Sequence, residues 1–223
     1  MRLSTAATLA ILGTVAFAAP ATAGSSVAYL GLRGSYVITD SGSTQGDFLD
    51  YNEDYADGFA VAAYLGWVLD DNFRLEIEGA FRSADLDEVT IVRDDTAVPA
   101  HVPGDVLDAG GDVQIGTAMV NLYYDAHLFD GPILPWIGAG LGGAFVDYAI
   151  DDPTHYIDGK DTTWVFAYQF MAGVTFPISE TVSMSLGYTY FRTQDFVYVN
   201  SFGEEQETDV TQHSVDLGIQ FHL

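Results

Sequence analysis

The sequence predicts an all-β protein: an eight-stranded antiparallel up-and-down transmembrane β-barrel. Three observations carry that expectation. Hydrophobicity alternates with a period of two over eight segments crowded with β-branched and aromatic residues. The connections between them alternate strictly between short and long. One face of the segments is apolar and free of charge away from the strand ends, whereas the other is small, polar and ionic. A soluble barrel has the reverse arrangement, apolar inside and charged outside.

The chain opens with an address. Met1-Arg2 precedes an apolar run from Ala6 to Phe17, and Ala21-Thr22-Ala23 offers the small-x-small pattern of a cleavage site. That run of 12 residues is short of the roughly 20 needed to span a bilayer as a helix. Residues 1–23 are therefore expected to be a signal peptide, and residues 24–223 a single barrel domain.

The eight segments run from Val27 to Thr39, Gly58 to Leu69, Phe73 to Ser83, Val113 to Leu128, Ile133 to Tyr148, Thr163 to Phe176, Thr181 to Arg192 and Gln212 to Leu223. Each reaches the length a tilted strand needs to cross a bilayer. Asp70-Asp71-Asn72, Phe129-Asp130-Gly131-Pro132 and Pro177-Ile178-Ser179-Glu180 are tight turns built from turn-forming residues. Residues 40–57, 84–112, 149–162 and 193–211 are long loops. Three short periplasmic turns, four long extracellular loops and both termini on the periplasmic side are what an outer-membrane barrel requires.

Composition narrows the function classes. With 32 Asp plus Glu against 7 Lys plus Arg, a net charge of −25 and no basic cluster, the chain is repelled by phosphate backbones, so no nucleic-acid partner is expected. The absence of Cys excludes a disulfide scaffold and thiolate-bound zinc. Only 17% of residues are charged and 48% are apolar, so the charge is segregated. Counting Asp147, the long loops hold 24 of the 32 acids, with Arg93 and Lys160 as their only bases. Two explanations stay open: solvation of exposed loops, and weak binding of a divalent cation. Asp50, Asn52 and Asp54 begin like a calcium loop with Asp57 following, but Tyr55 replaces its glycine and Val61 its closing Glu. No other cofactor and no metal centre are implied.

Strand parity sorts the two faces. The apolar one includes Leu30, Leu32, Val61, Leu65, Leu75, Ile77, Val120, Leu122, Leu141, Phe170, Leu186, Leu217 and Ile219, with aromatic residues near the strand ends as interfacial girdles. The polar one places Arg33, Arg74, Glu76, Glu78, Arg82, Asp125, His127 and Asp216 in the lumen. Eight strands leave an interior that side chains fill. The three arginines are expected to neutralise the four carboxylates, making a polar plug rather than a pore. Gly138, Gly140 and Gly142 repeat with a strand's period and are expected to make room for large lumen neighbours such as Tyr123 or to allow tight curvature. His101, His155 and His213 have no serine at meaningful spacing, so an enzyme is not expected.

On Tyr29-Leu30-Gly31-Leu32-Arg33-Gly34-Ser35-Tyr36, Phe73-Arg74-Leu75-Glu76-Ile77-Glu78, Met119-Val120-Asn121-Leu122-Tyr123-Tyr124-Asp125, Pro135-Trp136-Ile137-Gly138-Ala139-Gly140-Leu141-Gly142 and Leu186-Gly187-Tyr188-Thr189-Tyr190-Phe191-Arg192, the chain resembles the opacity-protein-like surface antigens of Gram-negative bacteria. These are small outer-membrane β-barrels related in architecture to the OmpA transmembrane domain. The resemblance covers Gly24 to Leu223. It implies an outer-membrane location, with outer-membrane lipid, lipopolysaccharide and the outer-membrane assembly machinery as partners. It also implies a role in envelope structure or in adhesion to a surface ligand or host component. A narrow cation-favouring, porin-like channel is the alternative.

Overall fold

The computed structural model describes residues 28–95, 102–107, 110–128, 131–151, 159–199 and 205–223; the expected signal peptide, residues 1–23, and His101 and His155 lie outside them. In chain order the strands are β1 (Ala28–Thr39), β2 (Gly42–Gly46), β3 (Leu49–Tyr55), β4 (Gly58–Val68), β5 (Phe73–Asp94), β6 (Val106–Leu107) and β7 (Gly110–Asp125). There follow β8 (Leu134–Asp151), β9 (Gly159–Pro177), β10 (Val182–Thr193), β11 (Phe196–Val199), β12 (Glu205–Thr208) and β13 (Thr211–His222). Eight of them form a closed antiparallel ring in the order β1, β4, β5, β7, β8, β9, β10, β13 and back to β1. The first and last strands close it, in register from Tyr29 opposite His222 to Thr39 opposite Gln212.

Local chemistry sets the hairpins. Asp70 accepts hydrogen bonds from the backbone N–H of Asn72 and of Phe73, both at 2.8 Å, while Leu69 N–H donates to the Phe73 carbonyl at 2.8 Å. This side-chain-closed turn reverses the chain between β4 and β5. At the same end, Ile178 N–H donates to the Val182 carbonyl at 2.9 Å to close the turn from β9 to β10.

Parity holds around the ring. Leu30, Leu32, Val61, Val120, Leu122, Leu141, Phe170, Leu186, Val215 and Leu217 are exposed on the outer face, where hydrocarbon would cover them. Phe73 meets Tyr124 edge-on at 5.4 Å near the short turns, and Phe59 with Phe81, and Tyr168 with Tyr190, pair at 6.4 Å near the opposite rim. These rings form the two interfacial girdles.

The long connections depart from the sequence expectation. All four contain sheet, and three of them join in one headpiece. β5 runs for 22 residues, well past the Ser83 end expected for it, and carries β3 along its upper half. The hairpin of β2 and β3 and the hairpin of β11 and β12 join through β2 and β12, and β6 adds to β5. The result is a folded headpiece above the barrel. Asp87 and Val92 are the extra residues at two register shifts between β3 and β5. Such bulges break the period of two that reveals a strand in sequence. On the other side, β8 and β9 continue as one long ladder to Ile150 opposite Gly159.

Placing a charge on the lipid face tests the inside-out arrangement. Leu217→Arg is expected to reduce the free energy of folding into lipid vesicles by about 2–4 kcal/mol, measured by urea titration. The inward-facing Ser214→Ala is expected to cost less than half of that.

Candidate functional site

The periplasmic half of the lumen is an ionic network. Arg74 donates from Nε and Nη2 to Asp125 at 2.6 and 2.9 Å, a bidentate pair, and from Nη1 to the Tyr29 hydroxyl at 2.9 Å. That hydroxyl donates in turn to Glu76 at 2.8 Å. Arg33 is ion-paired with Glu78, which also accepts from Asn121 at 3.1 Å and Gln169 at 3.4 Å. Tyr64 and Tyr123 lie beneath the guanidinium groups of Arg33 and Arg74, 5.5 and 4.9 Å from ring centre to guanidinium carbon. No fully buried side-chain nitrogen or oxygen of Arg33, Arg74, Glu76, Glu78 or Asp125 is left without a partner, the condition under which buried charge is tolerated.

Glycine builds the space for it. A Cβ at Gly138 would stand 2.6 Å from the Tyr123 ring, and one at Gly187 2.9 Å from the Trp136 ring. The expectation that Gly138 makes room for Tyr123 therefore holds. A cavity of about 20 Å³, bordered by Arg33, Arg74, Glu76, Trp136 and Asp216, remains between them, room for one water molecule. The Trp136 indole N–H is buried there without a protein partner.

Three expectations about the lumen need correction. Arg82 makes no ion pair among the described residues: its guanidinium lies 4.4 Å from the Phe191 ring centre and donates to Gln169 at 3.4 Å. Asp216 is held by the hydroxyls of Thr189 and Ser214, at 2.5 and 2.9 Å, rather than by an arginine. His127 is not in the network. β7 ends at Asp125, Leu128 N–H turns back to the Ala126 carbonyl, and the exposed imidazole sits on the periplasmic rim 3.3 Å from the Asn72 amide.

A larger correction concerns the other half. Above Arg82 the lumen is mostly apolar: Val113, Ile115, Val146, Val165 and Phe191 point inward, with Thr39, Thr193 and Gln212 as buried polar side chains at the same end, and Leu49, Tyr51, Leu86, Val89, Ile91, Phe196 and Val210 of the headpiece continue the apolar cluster. The plug is ionic below; above, it is mostly apolar, with no buried charge in the barrel wall among the described residues. The inward parity of Val113, Ile115, Val146 and Val165 was available in the sequence. What hid their role is that β-branched residues suit either face of a strand.

The proposed cation ligands are distributed along a strand. In β3 the alternation buries Leu49, Tyr51 and Glu53 and turns Asp50, Asn52 and Asp54 outward. Asp50 is taken by Arg93, at 2.8 and 3.0 Å, Asp54 accepts from Ser41, and Asp57 accepts from Tyr36. Extended backbone spreads the carboxylates that a calcium loop would converge, and no cluster of three or more metal-ligating side chains occurs among the described residues. Buried Glu53 instead accepts from Thr44 at 2.6 Å and from Tyr55 at 2.8 Å. His213 engages Asp40 at 3.1 Å and the Tyr188 hydroxyl, and contacts no serine among its described hydrogen bonds.

A closed antiparallel barrel with an apolar exterior, a satisfied ionic interior and aromatic girdles defines an outer-membrane β-barrel protein. Residues 9–221 match the outer membrane protein beta-barrel domain family, and the chain belongs to that family. It is similar to an uncharacterized protein of Brucella abortus (strain 2308), 33% identical over 127 residues that cover 48% of this chain and 44% of that protein. It is also similar to an outer membrane protein of Gluconacetobacter diazotrophicus, 27% identical over 142 residues that cover 60% of this chain and 34% of that protein. The matches thus span less than half the length of these relatives. Among solved structures, the outer membrane protein OprG from Pseudomonas aeruginosa aligns with a TM-score of 0.59 at 13% identity, over 90% of this chain and 99% of that one. Neisserial surface protein A aligns at 0.53 and 13% identity, over 88% and 97%. At such identities the likeness is one of fold.

Two measurements probe these sites. Glu78→Ala would leave the buried Arg33 unpaired and strip an acceptor from Asn121 and Gln169, so a loss of about 3–5 kcal/mol in vesicle refolding is expected, and a smaller one for Glu78→Gln. In the headpiece, the Arg93 hydrogen bonds hold the Asp50 carboxyl below its ordinary value near 3.8. The folded form binds that proton less readily than the unfolded chain, so the contribution is full above pH 4 and is lost as the pH falls further. Amide exchange at Gly46 and Leu49, corrected for intrinsic rates, is expected to accelerate below that pH in the wild type, and less so in Asp50→Asn.

Proposed function

We propose that this is a non-enzymatic outer-membrane protein whose barrel is an anchor and whose acidic headpiece makes the contacts, in envelope structure and surface interaction, with outer-membrane lipid and lipopolysaccharide around it. The observation that carries this is the double closure of the lumen: a satisfied ionic network in one half and an apolar cluster in the other. Ions crossing such an interior would have to shed their water against Val113, Ile115, Val165 and Phe191, with only a few neutral oxygens such as those of Thr39, Thr193 and Gln212 to replace it. The competing reading, a narrow cation-favouring channel, draws on the acidic mouths and on Glu76, Glu78, Asp125 and Asp216. Yet these four carboxylates are already engaged, the first three by Arg74, Arg33, Tyr29 and Asn121 and Asp216 by the hydroxyls of Thr189 and Ser214. Further support is that the headpiece is sheet packed on a core it shares with the upper lumen, since a preformed surface binds without first having to be ordered.

Planar-bilayer recording and a cell-surface assay test it together. The wild-type barrel is expected to give no conductance above lipid leakage. Replacing the β2–β3 and β11–β12 hairpins by short turns is expected to leave insertion intact while abolishing surface contacts or weakening the envelope's resistance to detergent. Discrete cation-selective steps, or a hairpin-deleted strain that is indistinguishable from wild type, would overturn the proposal.

A further inference from the structure

Lipid accounts for the exposed apolar side chains of the barrel wall, but not for those beyond the upper girdle. There Phe48, Val92, Val102 and Val106 are exposed by 55, 47, 63 and 57%. The pairing gathers them at the free end of the sheet formed by β3, β5 and β6. Val106 lies opposite Thr90 in the ladder, and Val92 is the bulged residue two positions on. The Asp95 N–H donates to the Phe48 carbonyl at 2.8 Å, and the turn from Val102 to Asp105 is fastened to Ile91 by two backbone hydrogen bonds of 2.8 and 2.9 Å. Tyr51, Val89 and Ile91 point into the core from the same strands, so Thr90, Asn52 and Asp50 share the outward face with this cluster. From strand spacing the patch measures roughly 10 Å across three strands and about 15 Å along them.

Its rim is anionic. Asp47 and Asp95 are exposed, and Asp105 is half-buried and accepts from the Val102 N–H at 3.0 Å, while among the described residues the nearby base, Arg93, is spent. Its Nε and Nη2 donate to Asp50, Nη2 also to the Gly46 carbonyl at 2.6 Å, and Nη1 to the Asp47 carbonyl at 3.1 Å and to Asp95 at 3.3 Å. Apolar surface with a negative border selects an occupant that is apolar with a positive border. A second copy of this chain carries the same negative field and would be repelled, as would anionic lipid.

We infer that the outward face of β3, β5 and β6, centred on Val92 and Val106 and bordered by Asp47, Asp95 and Asp105, is a docking surface for a cationic amphipathic polypeptide segment. This rests on the proposed contact role of the headpiece and names the partner's chemistry. Apolar side chains along one stripe of the segment cover Phe48, Val92 and Val106, and its flanking Lys or Arg side chains meet the aspartates. Charge sets the approach and its salt dependence, and apolar burial sets the residence time.

The test uses the mature chain in zwitterionic nanodiscs, with empty discs as blank. The probes are a fluorescent 18-residue Leu/Lys amphipathic helix, the same helix with Glu for Lys, and a scrambled Leu/Lys peptide. The Leu/Lys helix is expected to bind above blank, more weakly at 500 than at 50 mM salt, while the Glu version does not bind and the scrambled one binds much less. Val92→Ser with Val106→Ser is expected to weaken binding about tenfold, and Asp95→Asn with Asp105→Asn to weaken it and flatten the salt dependence. Asp195→Asn with Glu207→Gln, elsewhere in the headpiece, is expected to stay within about twofold. Heat-modifiable electrophoretic mobility verifies that each variant is folded. The inference is overturned if no peptide binds above blank, if the serine pair leaves affinity unchanged, or if the distant acidic pair matters as much. Were hairpin deletion still to abolish surface contacts in cells, only this patch would be lost; were it without effect as well, the contact role would fall with it.

Discussion

The ladder between β1 and β13 is the constraint on which everything else depends. In hydrocarbon no water is present to satisfy a backbone N–H or carbonyl, so a sheet can cross only if it has no edge. Pairing residues 29–39 with 212–222 removes the last edge. Closure then fixes the parity of all eight strands, because a slip of one residue would turn Arg74 or Glu76 into lipid. The apolar exterior and the crowded polar interior are two consequences of one closed hydrogen-bond network.

Inside so narrow a ring, volume and charge must be resolved together. Tyr29, Tyr64, Tyr123 and Trp136 occupy the lower lumen only because glycines face them across the wall. The three tyrosine rings in turn flank the guanidinium groups that hold Glu76, Glu78 and Asp125. Arg82 stands where the two regimes meet, its guanidinium against Phe191 and its polar contact limited to Gln169. Above it the lumen shares one apolar cluster with the headpiece. The headpiece is thereby tied to the barrel, and its position over the mouth is a matter of packing rather than of tethering.

The acidic character of the chain takes on a direction in this arrangement. Bulges and alternation bury Tyr51, Val89 and Ile91 and send Asp50, Asp54, Asp87 and Glu88 to the outside of the sheet. The carboxylates decorate a surface rather than converge on an ion. Arg93, drawing together Asp50, Asp95 and the carbonyls of Gly46 and Asp47, fastens the tip of the β2–β3 hairpin to β5.

Much of this was legible from residue order alone. Period-two alternation, turn chemistry at Asp70 and Ser179, and the absence of charge from one face determined the strand number, the topology and which side chains look inward, because these are local properties repeated along the chain. The lumen membership of Arg33, Arg74, Glu76, Glu78, Arg82, Asp125 and Asp216 followed from the same parity, whereas that of His127 did not, since parity ends where the strand ends. Tertiary structure alone decided who pairs with whom: that Asp216 takes hydroxyls while Arg82 takes an aromatic ring, and that the upper lumen is mostly apolar. It also decided that acidic connections interrupted by bulges at Asp87 and Val92 fold into a sheet. Those outcomes depend on distances across the ring between residues far apart in sequence, which no local period encodes.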